Sequence, residues 1–189
     1  MIQRIQSIYL LLAAIAVLLL LAFPIAHYEV TADEISNEVS FTVDGGGITL
    51  NAGDKEFENI DEELRANEKV LTIFNYGKAG FIALGFFSLI CIFIYDKGKK
   101  QRKRRKLQKN LVMVNIILHL LLIGGLLSAA AVGEEILRRQ LEDNLGYGDV
   151  GVSYAVGFYM VPVAVAFLFL AWRGIRKDEK LISSLDRIR

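Results

Sequence analysis

The sequence predicts an all-α membrane protein, a bundle of four transmembrane helices with a small β-hairpin in the first outer loop. Three observations carry that prediction. Of the 189 residues 53% are hydrophobic and 23% charged, and the two classes are segregated along the chain. Four long apolar runs occupy residues 7–25, 79–95, 111–132 and 152–172. The 22 basic and 21 acidic residues, nearly balanced overall, collect in different connecting segments.

Each run is close to the roughly 20 residues that a helix rising about 1.5 Å per residue needs to cross a hydrocarbon core about 30 Å thick. An unpaired backbone amide in lipid costs several kcal/mol, so each run is expected to be a helix. The first run follows a single cation, Arg4, and ends near the small residues of Phe23-Pro24-Ile25-Ala26-His27, as a cleaved signal peptide would. Its apolar stretch is longer than the roughly 7 to 15 residues of a signal core, and no Ala-x-Ala-like site follows. It is therefore expected to be retained.

The loop over residues 27–72 is too short for a large core of its own. Val39, Phe41 and Val43 alternate with polar residues, Asp44-Gly45-Gly46-Gly47 supplies a turn, and Ile48 and Leu50 resume the alternation. This pattern predicts a β-hairpin. After Asn51-Ala52-Gly53-Asp54, Asn59 is placed to cap a short helix whose Ile60, Leu64 and Leu71 keep helical spacing. In the third run Gly124 and Ser128, and Gly125 and Ala129, have the spacing of closely packed helices. In the fourth, Pro162 follows Gly157 and predicts a kink. Beyond it, Leu181, Ile182, Leu185 and Ile188 share one face of an amphipathic tail over residues 173–189. The whole is read as one membrane domain over residues 1–189.

Charge sets the orientation. The segment 96–110 holds nine cations against one acid, eight of them within residues 97–106, and the tail adds six cations against three acids. Between the first two runs twelve acids, from Glu29 to Glu68, face only Lys55, Arg65 and Lys69. The positive-inside rule puts the basic segments and both termini in the cytoplasm and the acidic loops outside.

The sequence shows no catalytic constellation. Cys91 is the single cysteine, which excludes an internal disulfide, and it sits in an apolar run. His27 and His119 have no metal-ligand spacing, and the chain has no nucleophile elbow, zinc-protease motif or phosphate-binding loop. The expectation is a protein that is not an enzyme and carries no cofactor or metal.

The basic segment is suited to anionic lipid headgroups, each cation near the surface contributing about 1 kcal/mol. It lacks the interleaved aromatics and recognisable fold of a nucleic-acid binder. A membrane-protein partner or a second copy of the chain is the other candidate occupant. The candidate contact residues are Arg102, Arg104, Arg105, Lys106, Arg176, Lys177, Asp178, Glu179, Arg187 and Arg189, and Asp178 and Glu179 stand within reach of the basic loop. Within the membrane, Asn115 and His119 lie four residues apart on one face of the third helix. They are read either as an interhelical hydrogen bond or as the lining of a proton or ligand path.

Three segments carry a resemblance. The opening run from Met1 through Arg4, Gln6 and Tyr9 to Ala14, the run Arg105-Lys106-Leu107-Gln108 leading to Asn115-Ile116, and the closing Arg176-Lys177-Asp178-Glu179-Lys180-Leu181 with Ser184, Asp186, Arg187 and Arg189 resemble the bacterial family catalogued as domain of unknown function 4293. The resemblance implies a small four-helix inner-membrane protein of Gram-negative bacteria and brings no activity or catalytic residue. Two functions are carried forward: a non-enzymatic accessory or scaffold subunit docking partners at its cytoplasmic face, and a small transporter, channel or lipid-handling protein.

Overall fold

A computed structural model describes residues 2–32, 35–44, 47–51, 68–94, 101–145 and 149–185. They form four α-helices and an antiparallel sheet. Helix α1 is Ile2–Leu18, continued by a 3₁₀ turn at Leu19–Leu21; α2 is Glu68–Phe93, α3 is Gln101–Leu145 and α4 is Val156–Leu185. Strands β1 (Ala26–Ala32), β2 (Ile35–Asp44), β3 (Gly47–Asn51) and β4 (Asp149–Tyr154) pair in the order β3-β2-β1-β4.

The expected hairpin is β2 with β3, in the register Val43↔Ile48 and Phe41↔Leu50. Two further strands extend it. Pro24 biases Phe23 away from the helical region, and the chain leaves its turn directly into β1, where Ala26, Tyr28 and Val30 alternate with His27, Glu29 and Thr31. Strand β4 pairs with β1 on the side away from β2, with Tyr28 opposite Val152 and Ala26 opposite Tyr154. The apolar run 152–172 is thus divided: residues 152–154 are strand, and the helix begins at Val156. The predicted cap at Asn59 and the residues around it lie outside the described residues.

Helix α3 is far longer than its apolar run. Its 45 residues take in the basic segment from Gln101 and the charged stretch from Glu134, because Lys, Arg, Gln, Leu and Glu are all good helix formers and no proline interrupts them. The tail behaves similarly, as a continuation of α4 to Leu185.

The chain divides into two compact units. One comprises Met1–Leu18, Ile82–Ile123 and Val161–Arg189, and the other Leu19–Phe81 and Gly124–Met160. In the first, the buried residues recur at alternating steps of three and four: Gln6, Leu10, Ala13 and Val17 on α1; Arg105, Gln108, Val112, Asn115 and His119 on α3; Val161, Ala164, Leu168, Ala171, Ile175 and Asp178 on α4. This is the seam spacing of left-handed helix bundles. The distribution of polarity is inverted from that of a water-soluble core. Gln6, Ser88, Arg105, Gln108, Asn115, His119 and Asp178 are buried, whereas Ile8, Phe86, Leu121 and Phe169 are more than half exposed.

Among the described residues two helical stretches are long and apolar enough to cross a membrane, Lys103–Glu135 and Val156–Leu181, and only 17% and 28% of their most apolar windows is buried. Two shorter apolar helical stretches are Ile5–Leu21 and Gly77–Phe93. Gly124 and Gly125, expected to pack closely against a neighbouring helix, face open space among the described residues.

Candidate functional site

At one end of the first unit three helices are joined through buried polar side chains. Asp178 follows Ile175 on the buried stripe of α4, Arg105 opens that of α3, and Gln6 lies one turn before Leu10 on α1. Arg105 Nη1 donates to Asp178 Oδ2 at 3.1 Å and to Gln6 Oε1 at 3.2 Å, and Gln6 Nε2 donates to the same Asp178 oxygen at 2.8 Å. A carboxylate taken out of water needs this kind of compensation, because the desolvation cost of an ion is several kcal/mol. Gly174 leaves room for Gln6: a Cβ there would lie 3.0 Å from its Cγ.

Beside this network Lys109 Nζ donates to Glu179 Oε2 at 2.6 Å. The two acids of the described tail are therefore both engaged with cations of α3. Lys103, Arg104 and Lys106 on α3, and Arg173, Arg176, Lys177 and Lys180 on α4, are exposed. Every exposed charge among the described side chains of 101–110 and 173–185 is thus positive. The Arg176 guanidinium lies 5.3 Å from the centre of the Trp172 ring, in cation–π range, and Phe169 flanks that ring at 5.8 Å.

Deeper in the same unit, α2 and α3 meet through neutral polar groups. Gln108 Nε2 donates to the Cys91 carbonyl at 2.8 Å, and Asn115 Nδ2 to Ser88 Oγ at 2.7 Å. His119 Nδ1 lies 2.8 Å from the Asn115 carbonyl. A carbonyl only accepts, so Nδ1 carries the proton and Nε2 of the neutral ring is an acceptor. Gln108 Oε1, Asn115 Oδ1 and His119 Nε2 have no hydrogen-bond partner among the described residues. The pairing of Asn115 and His119 on one face, read from their spacing, is present, and both are fully buried.

The second unit is tied together by Tyr28. Its hydroxyl donates to the Ala130 carbonyl at 3.1 Å. Burial pushes the phenol up to about 12, and the negative charges of Tyr154 and Glu134 add to the shift. Gly133 permits the contact, since a Cβ there would lie 2.5 Å from the Tyr28 oxygen. At the start of α4, Gly157 N–H donates to the Pro24 carbonyl at 2.8 Å, and a Cβ on Gly157 would lie 2.5 Å from that oxygen.

Of the ten candidate contact residues, Arg105 and Asp178 are thus turned inward and bonded to each other, Glu179 is half-buried and paired, and Arg104, Lys106, Arg176 and Lys177 are exposed. Arg102 lies in α3 with its side chain outside the described residues, as are Arg187 and Arg189. Gln6, Ser88 and Gln108 are the members that residue type alone did not single out. A family model described as domain of unknown function (DUF4293) matches residues 2–188.

The chain belongs to the DUF4293 family.

No curated protein matches it. Gln6, Arg105, Gln108, Asn115, Asp178 and Glu179 come from the three segments in which the sequence resembles DUF4293, and in this member those segments supply most of the first unit's buried polar network. Among the described residues no group of three His, Cys, Asp or Glu side chains is placed to hold a metal ion.

Proposed function

We propose that this DUF4293 chain is a four-span protein of the bacterial inner membrane, with both termini cytoplasmic, and that it is a non-enzymatic accessory or scaffold subunit docking a partner at its basic cytoplasmic face. The carrying observation is the disposal of the tail acids. With Asp178 held by Arg105 and Glu179 by Lys109, every exposed charge around them among the described side chains is positive. Such a face attracts anionic headgroups and acidic partners alike. The membrane reading is supported by the outward apolar and inward polar side chains of the first unit. The apolar stretches Ile5–Leu21 and Gly77–Phe93 are each at the short end of the roughly 17 to 25 residues that span a bilayer.

The test is purification from native membranes in mild detergent, with quantitative mass spectrometry, of the parent chain and of the variant Lys103→Glu, Lys106→Glu, Lys177→Glu. A stoichiometric partner recovered with the parent and lost with the variant supports docking. A lone chain or homo-oligomer, reproduced after cross-linking in intact cells, overturns it. A second reading, as a transporter, channel or lipid-handling protein, is favoured by the unpartnered acceptors at Asn115 and His119. Loss of function on replacing both by Leu, with folding unchanged, would select it.

A further inference from the structure

The seam between α2 and α3 has an imbalance of hydrogen-bonding groups. The neutral His119 ring spends its single N–H on a backbone carbonyl, which leaves Nε2 an acceptor, and Gln108 donates one amide hydrogen to another and keeps Oε1, which only accepts. Asn115 spends an amide hydrogen on Ser88 and keeps Oδ1. Gln108 is 4% exposed, and Asn115 and His119 are fully buried. Buried polar atoms in folded proteins are nearly always partnered, and leaving one unpaired costs about 1 to 3 kcal/mol. Asn115 and His119 are one helical turn apart on the same face of α3, so the two acceptors belong to one stretch of the seam.

The chemistry of a molecule bound there follows from the lining. An anion is repelled by acceptors. A cation would need a counter-charge, and the one buried carboxylate described in this unit, Asp178, is already bonded to Arg105. The remaining class is a neutral donor. We propose that the α2–α3 seam at Asn115 and His119 is a binding site for a small neutral O–H donor, either water or a hydroxylated small molecule. Its hydroxyl hydrogens go to Asn115 Oδ1 and His119 Nε2. The proposal goes beyond partner docking and stands whether or not the basic face binds anything.

The experiment uses the full chain in lipid bilayers with ¹⁵N-labelled histidine. Only His27 and His119 report, and His27, outside the buried seam, serves as the internal reference. Water is the first probe. Magnetisation transfer from water to the His119 ring at a rate within a few fold of that at His27, together with a hydrogen-bonded Nε2 shift, establishes water at the site. A hydrogen-bonded Nε2 shift without transfer from water assigns the site to a co-purified hydroxyl compound. A Nε2 shift typical of an unbonded ring nitrogen, with no transfer from water, overturns the proposal. The Asn115→Leu variant removes one of the two acceptors and is expected to slow the transfer to His119 at least threefold. An unchanged rate in a variant whose thermal unfolding matches the parent's would also overturn the site as drawn.

Discussion

At the scale of single residues, Arg105 and Asp178 show how an ion pair is made tolerable away from water. Each is almost completely buried, and Gln6 bonds to both. Removing one partner leaves a buried charge without its counter-ion, which typically costs about 3 to 5 kcal/mol, whereas replacing both by apolar groups is far milder. Arg105→Met and Asp178→Leu are each expected to destabilise the chain by about 3 kcal/mol, and the double variant by clearly less than the sum. Thermal unfolding in detergent measures this, and strictly additive losses would refute the coupling. Tyr28 gives a second expectation. Its phenol ionises near pH 12 when folded and near 10 when unfolded, so the folded state keeps a proton that the unfolded chain loses in that window. Stability is therefore full below pH 10 and falls as the pH rises from 10 towards 12. Tyr28→Phe is expected to lower stability at neutral pH by about 1 kcal/mol through the lost bond to Ala130, and to flatten the alkaline decline. An alkaline decline as steep as the parent's would assign it to other groups.

At the scale of elements, the contacts of Gly157 and Gly133 are the most sensitive to size. A side chain at Gly157 meets backbone oxygen, which has little freedom to yield, so Gly157→Ala is expected to break the hydrogen bond to Pro24 and cost about 1 to 3 kcal/mol. Gly124→Ala, in open space, is expected to be neutral or slightly stabilising, because alanine is the better helix former. Equal melting temperatures for the two variants would contradict the packing described. The elements also show what was legible beforehand. The β2–β3 hairpin could be read because its alternation is interrupted by a run of glycines. Strand β4 was hidden because Val152 and Tyr154 have the hydropathy of the helix that follows, and a count of apolar residues does not distinguish a period of two from one of 3.6. Strand β1 carries a clear alternation, though it starts immediately after an apolar run and a proline. The ends of α3 were missed for a related reason. Hydropathy reports where lipid is tolerated, whereas the helix continues for as long as its residues favour it.

At the scale of the whole molecule, part of the candidate site was legible from charge alone. Two acids in a basic tail opposite a basic segment predict pairing, and Asp178 and Glu179 do pair with α3. The participation of Gln6 was not, because a neutral amide in an apolar helix names no partner. The proposed orientation makes a direct prediction. With Cys91 buried and the only cysteine, a Cys91→Ala chain accepts single reporters. In intact spheroplasts a membrane-impermeant maleimide is expected to label Ser153→Cys and to leave Lys106→Cys and Lys177→Cys unlabelled until the membrane is opened. The reverse pattern would invert the topology, and labelling of all three in intact cells would sink the four-span reading.

The link from Gln6 to Asp178 joins residues 172 positions apart. A ribosome finishes α1 long before it reaches the carboxylate that α1 will be bonded to, and Arg105 emerges between them. The bond from Arg105 to Gln6 can form as soon as α3 is present, and the network is complete only when α4 supplies Asp178. Until Asp178 has been made, Arg105 lacks the carboxylate that neutralises it in the folded chain, so the charge balance of this network depends on a residue supplied late in synthesis.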